Sequence, residues 1–419
     1  MLIEFSVQNF RSIRDRQTLS LVATKDKTFQ DSHTIETEVV SVPRVLRSLG
    51  MYGANGSGKT NLLRALQYLN VLVTKSFSFA PDSGTGLIPF ALQKNAQDSV
   101  AEFEITVLID KIRYQYGFRL DRQRIHEEWL LVYKAQKGPG QAWFERKFDL
   151  ATDKYEYQFS EKLVGAKKTW QDSTRSNALF LSTAVQFNSE MLRPLYDWIA
   201  SKPVFFNPLP LGVDYTIARL EEPSFYNQVV SFLQASDIPV SEIRVETTRG
   251  TGPHFQFDVT TGKAEATTQE FVHKQARFHH VAKDGEAFFE LQEESMGTQR
   301  LFALAGPVLD ILEKGRLLVV DEIESSLHPL LVKRLLELFH NPSTNKSGAQ
   351  LVFTTHNTLL LDQSIFRRDQ IFLVEKDFDQ ASRLVPLSDF QVRKDLYLEK
   401  AYLDGRFGAI PVFPTLQET

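Results

Sequence analysis

Three short runs of this chain carry residue types and spacings that could do chemistry. Gly53-Ala54-Asn55-Gly56-Ser57-Gly58-Lys59-Thr60 has the spacing G-x-x-x-x-G-K-T. Backbone N–H groups of such a turn, opening onto a helix N-terminus, cradle the phosphates of a nucleotide. Lys59 would add a point charge on those phosphates, and the Thr60 hydroxyl would ligate Mg²⁺. Much later, Leu317-Leu318-Val319-Val320 ends in Asp321-Glu322. A carboxylate at that strand tip can hold Mg²⁺ or its water shell, and Glu322 can orient and deprotonate an attacking water. Leu351-Val352-Phe353 then runs into Thr354-Thr355-His356, which would place an imidazole beside the same sheet edge, close to a γ-phosphate. The expected nucleotide contacts in the loop are Gly53, Asn55, Gly56, Ser57, Gly58, Lys59, Thr60 and the following Asn61. The expected metal ligands are Thr60 and Asp321. Together they imply binding and hydrolysis of a nucleotide with Mg²⁺. Singly, an acidic strand end or a lone histidine is an ordinary surface feature; it is the combination that points to a site.

The elements that must position these groups are legible around them. Val45 to Tyr52 is a short apolar run suited to a strand before the loop, and Leu62, Leu63, Leu66, Leu69 and Val73 recur on one helical face after it. Ile3, Phe5 and Val7 alternate with polar residues as in a half-buried strand, with Thr18 to Val22 as its partner. Glu102 to Leu108, Ile112 to Leu120 and Glu128 to Tyr133 read as sequential strands of an antiparallel side sheet. Helical spacing returns at Ser189 to Ile199, and Pro203, Pro208 and Pro210 mark a junction. Beyond it, a helix over Phe225 to Leu233 and strands at Ser241 to Glu246 and Phe255 to Val259 suggest an inserted lobe. From Glu293 onward, helix and buried strand alternate as in a parallel α/β sheet. The expected organisation is an ATPase lobe over residues 1–205, an inserted α+β lobe over 206–286 and a second ATPase lobe over 287–419.

Bulk properties narrow the function class. The 419 residues carry a net charge of −4, which gives no global attraction to nucleic acid or to an anionic membrane. There is no cysteine, so disulfides, thiolate metal sites and cysteine nucleophiles are excluded. The opening reads as a strand rather than a signal peptide, and no apolar run reaches membrane-spanning length. The expectation is a cytoplasmic protein with no membrane partner.

With these residues in view, the chain resembles the ABC-type ATPase heads of the SMC, RecF and OLD families. Asn9-Phe10-Arg11 matches their opening strand, Ser295-Met296-Gly297-Thr298-Gln299-Arg300 their signature motif, and Leu317 to Glu322 their Walker B strand. Ser325-Ser326-Leu327-His328-Pro329 resembles their D-loop, and His356 their switch histidine. The resemblance implies an α/β fold, an ABC-ATPase-type P-loop NTPase head with an antiparallel β side sheet and an inserted α+β lobe. It implies that two heads sandwich two nucleotides, Ser295 and Gly297 of one completing the site of the other, so that a monomer hydrolyses ATP slowly. An oligomer larger than this homodimer stays open. Arg11 is expected at the nucleotide; the lid glutamine is best matched by Gln186, with Gln93 as competitor. Ser295 also suits a plain helix N-cap, and the two roles are compatible. No heptads run over several turns, so long coiled-coil arms are not expected.

The nearer resemblance is to compact OLD-like bacterial ATPases, including the ATPase subunits of antiphage systems such as Septu, PARIS and certain retrons. It rests on Met1 to Ile13, Glu294 to Thr298, Leu327-His328-Pro329 and the closing Tyr402-Leu403-Asp404-Gly405-Arg406-Phe407-Gly408-Ala409-Ile410-Pro411. It implies a separate nuclease or toxin effector as partner, with no effector domain fused; DNA and a phage protein stay open as further partners. The alternative is a RecF-like DNA-binding repair ATPase without a toxic partner.

Some features are weighed down. Glu375, Asp377 and Asp379 share one turn, unlike Toprim nuclease carboxylates, and suit a solvated turn. The basic segment with His273, Lys274, Arg277, His279, His280 and Lys283 suits a solvated face, and adjacent His279 and His280 on a strand point to opposite sides. The 32 Phe residues fall at core-like positions.

Overall fold

The computed structural model describes residues 1–134, 138–206, 212–258, 263–325, 327–391 and 396–410. Its contacts divide the chain into two compact units, Met1–Pro208 with Ile311–Ser325 and Val332–Thr419, and Leu209–Asp310 with Ser326–Leu331.

The first unit opens with β1 (Leu2–Gln8) and β2 (Gln17–Ser20), which pair antiparallel with Phe5 opposite Leu19, as the alternation predicts. A one-turn helix α1 (Gln30–His33) leads into the hairpin of β3 (Thr34–Val39) and β4 (Val42–Leu46), followed by β5 (Ser48–Tyr52). The run from Val45 to Tyr52 is therefore two strands. It is cut at Arg47, whose buried guanidinium donates to the Asn345 carbonyl at 3.0 Å. After the Gly-rich loop comes α2 (Lys59–Lys75), which buries Leu62, Leu63, Leu66, Leu69 and Val73 as their spacing predicts.

Next come β6 (Ala101–Ile109), β7 (Ile112–Leu120), β8 (Ile125–Tyr133), β9 (Gln141–Asp149) and β10 (Lys154–Phe159). With β1 and β2 they form an antiparallel sheet in the order β10-β9-β8-β7-β6-β1-β2. This is the expected side sheet, extended by β9 and β10. β9 hides its pattern because Arg146 occupies an inward position, where it is fully buried 3.7 Å from the Glu128 carboxylate. Helices α3 (Lys167–Ser173), α4 (Phe180–Gln186) and α5 (Arg193–Ser201) lead to β11 (Pro203–Phe206).

In the second unit, α6 (Asp214–Arg219) and α7 (Pro223–Gln234) accompany a sheet of β12 (Glu242–Asp258), β13 (Lys263–Ala282) and β14 (Gly285–Glu290). Its core includes Phe225, Val229, Leu233, Ile243, Phe278 and Phe302, with Phe278 and Phe302 edge to face at 5.0 Å. The two strands expected between Ser241 and Val259 are one, β12; Val259 lies outside the described residues, as do Pro208, Pro210, Ser326 and Pro411. Helix α8 (Met296–Lys314) begins in this unit and ends in the first, whereas the sequence reading closed the lobe at residue 286.

The first unit then adds β15 (Leu317–Val320), the C-terminal part of α9 (Pro329–His340), β16 (Gln350–Thr354), β17 (Ile371–Lys376), β18 (Ser382–Pro386) and α10 (Leu398–Leu403). The second sheet runs β11-β15-β16-β5-β17-β18, parallel except for the antiparallel edge strand β18. Strands β5, β15 and β16 are buried along their whole length, the signature of a parallel sheet covered on both faces. One apolar cluster joins Leu49 and Met51 of β5, Leu62, Leu66 and Leu69 of α2, and Phe103 and Phe118 of the side sheet. The P-loop head fold, with its antiparallel side sheet, is the class expected from the sequence.

Candidate functional site

Because β5, β15 and β16 are parallel neighbours, their C-terminal ends bring the three chemical runs to one edge. The loop after β5 is held tightly against the sheet. At Gly53 a Cβ would run into the Val374 carbonyl of β17. At Gly58, where φ is +110°, it would run into the Ser382 hydroxyl. Only glycine fits at both, which lets the loop pack this closely against β17 and the start of β18.

Two serines fasten this loop. The Ser382 hydroxyl donates to the Ser57 carbonyl at 2.6 Å and accepts from the Ser12 hydroxyl at 2.8 Å, and Asn61 donates to Ser12 at 2.8 Å. The Ser57 hydroxyl itself is buried without a partner. Lys59 curls back so that Nζ donates to the carbonyls of Gly53 at 2.8 Å and Ala54 at 3.0 Å. Burial lowers its ammonium to a pKa of about 8, against the attraction of Asp321, Glu322 and Glu324.

The acid pair is tied to the loop. Thr60 Oγ1 donates to the Asp321 carboxylate at 2.9 Å, and Thr354 Oγ1 donates to its other oxygen at 2.6 Å. The Thr354 hydroxyl also accepts the Glu322 backbone N–H at 2.7 Å. Glu322 has φ of +50°, a left-handed conformation that is uncommon outside glycine. The His356 N–H donates to Glu324 Oε1 at 2.6 Å, and burial, then the Lys59 charge, lower the His356 imidazole pKa. Asn55 to Asn61, Asp321, Glu322 and His356 line a cavity of about 400 Å³. Gly53 lines the neighbouring cavity of about 600 Å³ with Asn55, His356, Tyr402, Leu403 and Ile410.

Residues 48–362 match the family described as AAA domain, putative AbiEii toxin, Type IV TA system. The chain belongs to this AAA-domain family. The match runs from the first residue of β5 to just past His356, so it includes every element that lines the smaller cavity. Among curated proteins, none is significantly similar to this AAA-domain chain. The solved structures similar to it over most of its length include two SMC heads. The SMC head domain from Thermotoga maritima is 13% identical with a TM-score of 0.43, covering 92% of this chain and 98% of that one. An SMC head bound to the C-winged helix domain of ScpA is 14% identical with a TM-score of 0.46, covering 96% and 99%.

Of the other expected contacts, Arg11 and the two glutamines of the AAA domain do not line the cavity. Arg11, at φ +52°, lays its guanidinium 5.5 Å over the Phe10 ring, and its buried Nε has no partner. Gln186 sits exposed at the end of α4, bonded to Tyr196 at 3.4 Å, and Gln93 donates to Asn9 at 2.8 Å; neither lid candidate reaches the cavity lining. In the second unit, the Ser295 hydroxyl accepts the Thr298 N–H at 3.1 Å and so caps α8, with Gly297 in its first turn. Asp377 and Asp379 accept from Arg14 at 2.9 and 2.6 Å, an ion-paired turn. His279 and His280 diverge, His279 to Ser241 and His280 to Glu294. Ser12, Ser382, Thr354 and Glu324 were not singled out from sequence. Only their place beside a motif, as polar residues ending buried strands or turns, could have flagged them.

The donor set fits a hydrated Mg²⁺: a hydroxyl from Thr60 and a carboxylate from Asp321 are hard oxygens already within hydrogen-bond distance of each other. The backbone from Gly56 to Thr60, which lines the cavity beside the Lys59 ammonium, fits phosphates.

Proposed function

We propose that this AAA domain binds MgATP and hydrolyses it slowly as an ABC-type nucleotide switch. The supporting observation is the chain Thr60–Asp321–Thr354–Glu322, which ties the phosphate loop to the strand-end acids in a cavity shared with Lys59 and His356. Lys59 and the backbone of Gly53, Asn55, Gly56, Ser57, Gly58, Thr60 and Asn61 bind the phosphates. Thr60 and Asp321 hold Mg²⁺, which when bound neutralises charge on the phosphate oxygens. Glu322 accepts the proton of the attacking water at its carboxylate, and His356 donates an N–H to the γ-phosphate. Ser295 and Gly297 from a second copy complete the site, their helix N-terminus supplying anion donors.

At the biological level, this ATPase is a sensor or scaffold subunit of a bacterial antiphage system that controls a separate nuclease or toxin. The family's description, which pairs the AAA domain with a toxin system, supports that reading. Glu322→Gln is expected to retain ATP and accumulate as dimer, with light scattering in MgATP showing a doubled mass. A strictly monomeric variant would overturn the shared site.

A further inference from the structure

Glu324 lies in the turn after β15 and has no task in the mechanism above. Its Oε1 accepts the His356 backbone N–H at 2.6 Å, a charge-assisted bond of the short, strong kind. Its Oε2 is buried and has no hydrogen-bond partner. A second orphan belongs to Tyr52, the last residue of β5 and the one that leads into the phosphate loop. The Tyr52 hydroxyl is buried without a partner, on a side chain only 1% exposed. A lone acceptor and a lone donor are each unfavourable in a protein interior, and such groups call for an explanation. The backbone brings them near each other: the Thr355 N–H, one residue before His356, donates to the Met51 carbonyl, one residue before Tyr52, at 3.0 Å, and the Glu324 charge adds to the burial that raises the Tyr52 pKa. The same carboxylate acts on Lys59 and on His356. Glu324 is thus bonded to the His356 backbone beside the end of the strand that feeds the loop, without lining the cavity itself.

We propose that Glu324 is a positioning residue of the nucleotide site: Oε1 sets the His356 backbone, and Oε2 takes the Tyr52 hydroxyl as nucleotide draws the loop and the His356 turn together. The inference rests on the MgATP reading and adds to it a link between β5 and His356. Tyr52 and Glu324 act on the γ-phosphate only through His356, so their loss belongs in the turnover rate and not in nucleotide affinity.

The test is kcat and KM for MgATP in the full chain for wild type, Glu324→Ala, Glu324→Gln and Tyr52→Phe. Glu324→Ala is expected to lose about tenfold in kcat, as supporting residues of a reactive site typically do, with KM unchanged. Glu324→Gln retains an oxygen acceptor for the His356 N–H and is expected to restore most of the rate. Tyr52→Phe keeps the ring in β5 and is expected to lower kcat by a smaller factor, with no additional loss when combined with Glu324→Ala. Wild-type kcat in Glu324→Ala, or equal slowness in Glu324→Gln and Glu324→Ala, would overturn the role. If Glu324→Ala fails to fold, Tyr52→Phe decides, because an unchanged kcat there removes the link. ATP binding by the wild type, measured first, separates failure of the MgATP reading, which takes this proposal with it, from failure of Glu324 alone.

Discussion

Lys59 shows how a single residue is set for its task. Its ammonium is buried against the loop carbonyls, and the cost of burying charge outweighs the pull of three nearby carboxylates, so its pKa falls to about 8. A base with a lowered pKa is charged below that value and neutral above it. ATP phosphates need the charged form, so affinity measured by calorimetry should hold below pH ~8 and fall by about tenfold per unit above it. A flat affinity through that range would contradict the assignment of Lys59 to the phosphates. At this scale the sequence was legible wherever spacing is itself the chemistry, as in Gly53–Thr60, Asp321–Glu322 and His356. It was silent on Ser12, Ser382 and Thr354, whose roles arise from contacts between distant positions; Ser12 and Ser382 stand 370 residues apart. Gln186 lies outside the cavity lining, and a loose match in one helix does not show which way that helix's end faces.

Elements were legible where one period dominates. The alternation of β1 and the apolar stripe of α2 give their structure directly. The misreadings come from charges at inward positions, Arg47 splitting β4 from β5 and Arg146 disguising β9, each bonded to partners that no local pattern reveals. Two helix ends meet in a further buried polar contact. His33, last in α1, stacks on His340, last in α9, with ring centroids 3.7 Å apart. Gln370 faces His33 at 2.8 Å, Ser48 faces His340 at 2.7 Å, and Arg47, Arg367 and Asp369 surround the pair. A helix C-terminus normally favours a cation by up to about 2 kcal/mol, yet both pKa values are lowered, so burial prevails. Since the unfolded histidines titrate near 6.5, the unfolded state binds more protons below that pH. Stability is therefore full above pH 6.5 and is lost as pH falls towards the lowered folded values, by at most about 1.4 kcal/mol per unit for each histidine. Denaturant melts across that range should show this slope, reduced in His33→Phe; equal slopes would show the pair is not its source.

At the scale of the whole molecule, the sequence places the three chemical runs far apart, and the parallel order of β15, β16 and β5 brings their ends together. That convergence was foreseeable, because buried apolar strands followed by polar residues leave few other arrangements. The extent of the inserted unit was less so, since α8 carries its apolar pattern without interruption from one unit into the other. The central claim is that this convergence makes a site that binds and hydrolyses MgATP. The most direct measurement follows ATP binding and phosphate release together in wild type, Lys59→Ala and Glu322→Gln. The account predicts binding and slow release by the wild type and no binding by Lys59→Ala. Glu322→Gln should bind normally while release falls by at least about a hundredfold, the usual contribution of a general base. Wild-type release by Glu322→Gln, or undiminished ATP binding by Lys59→Ala, would contradict it.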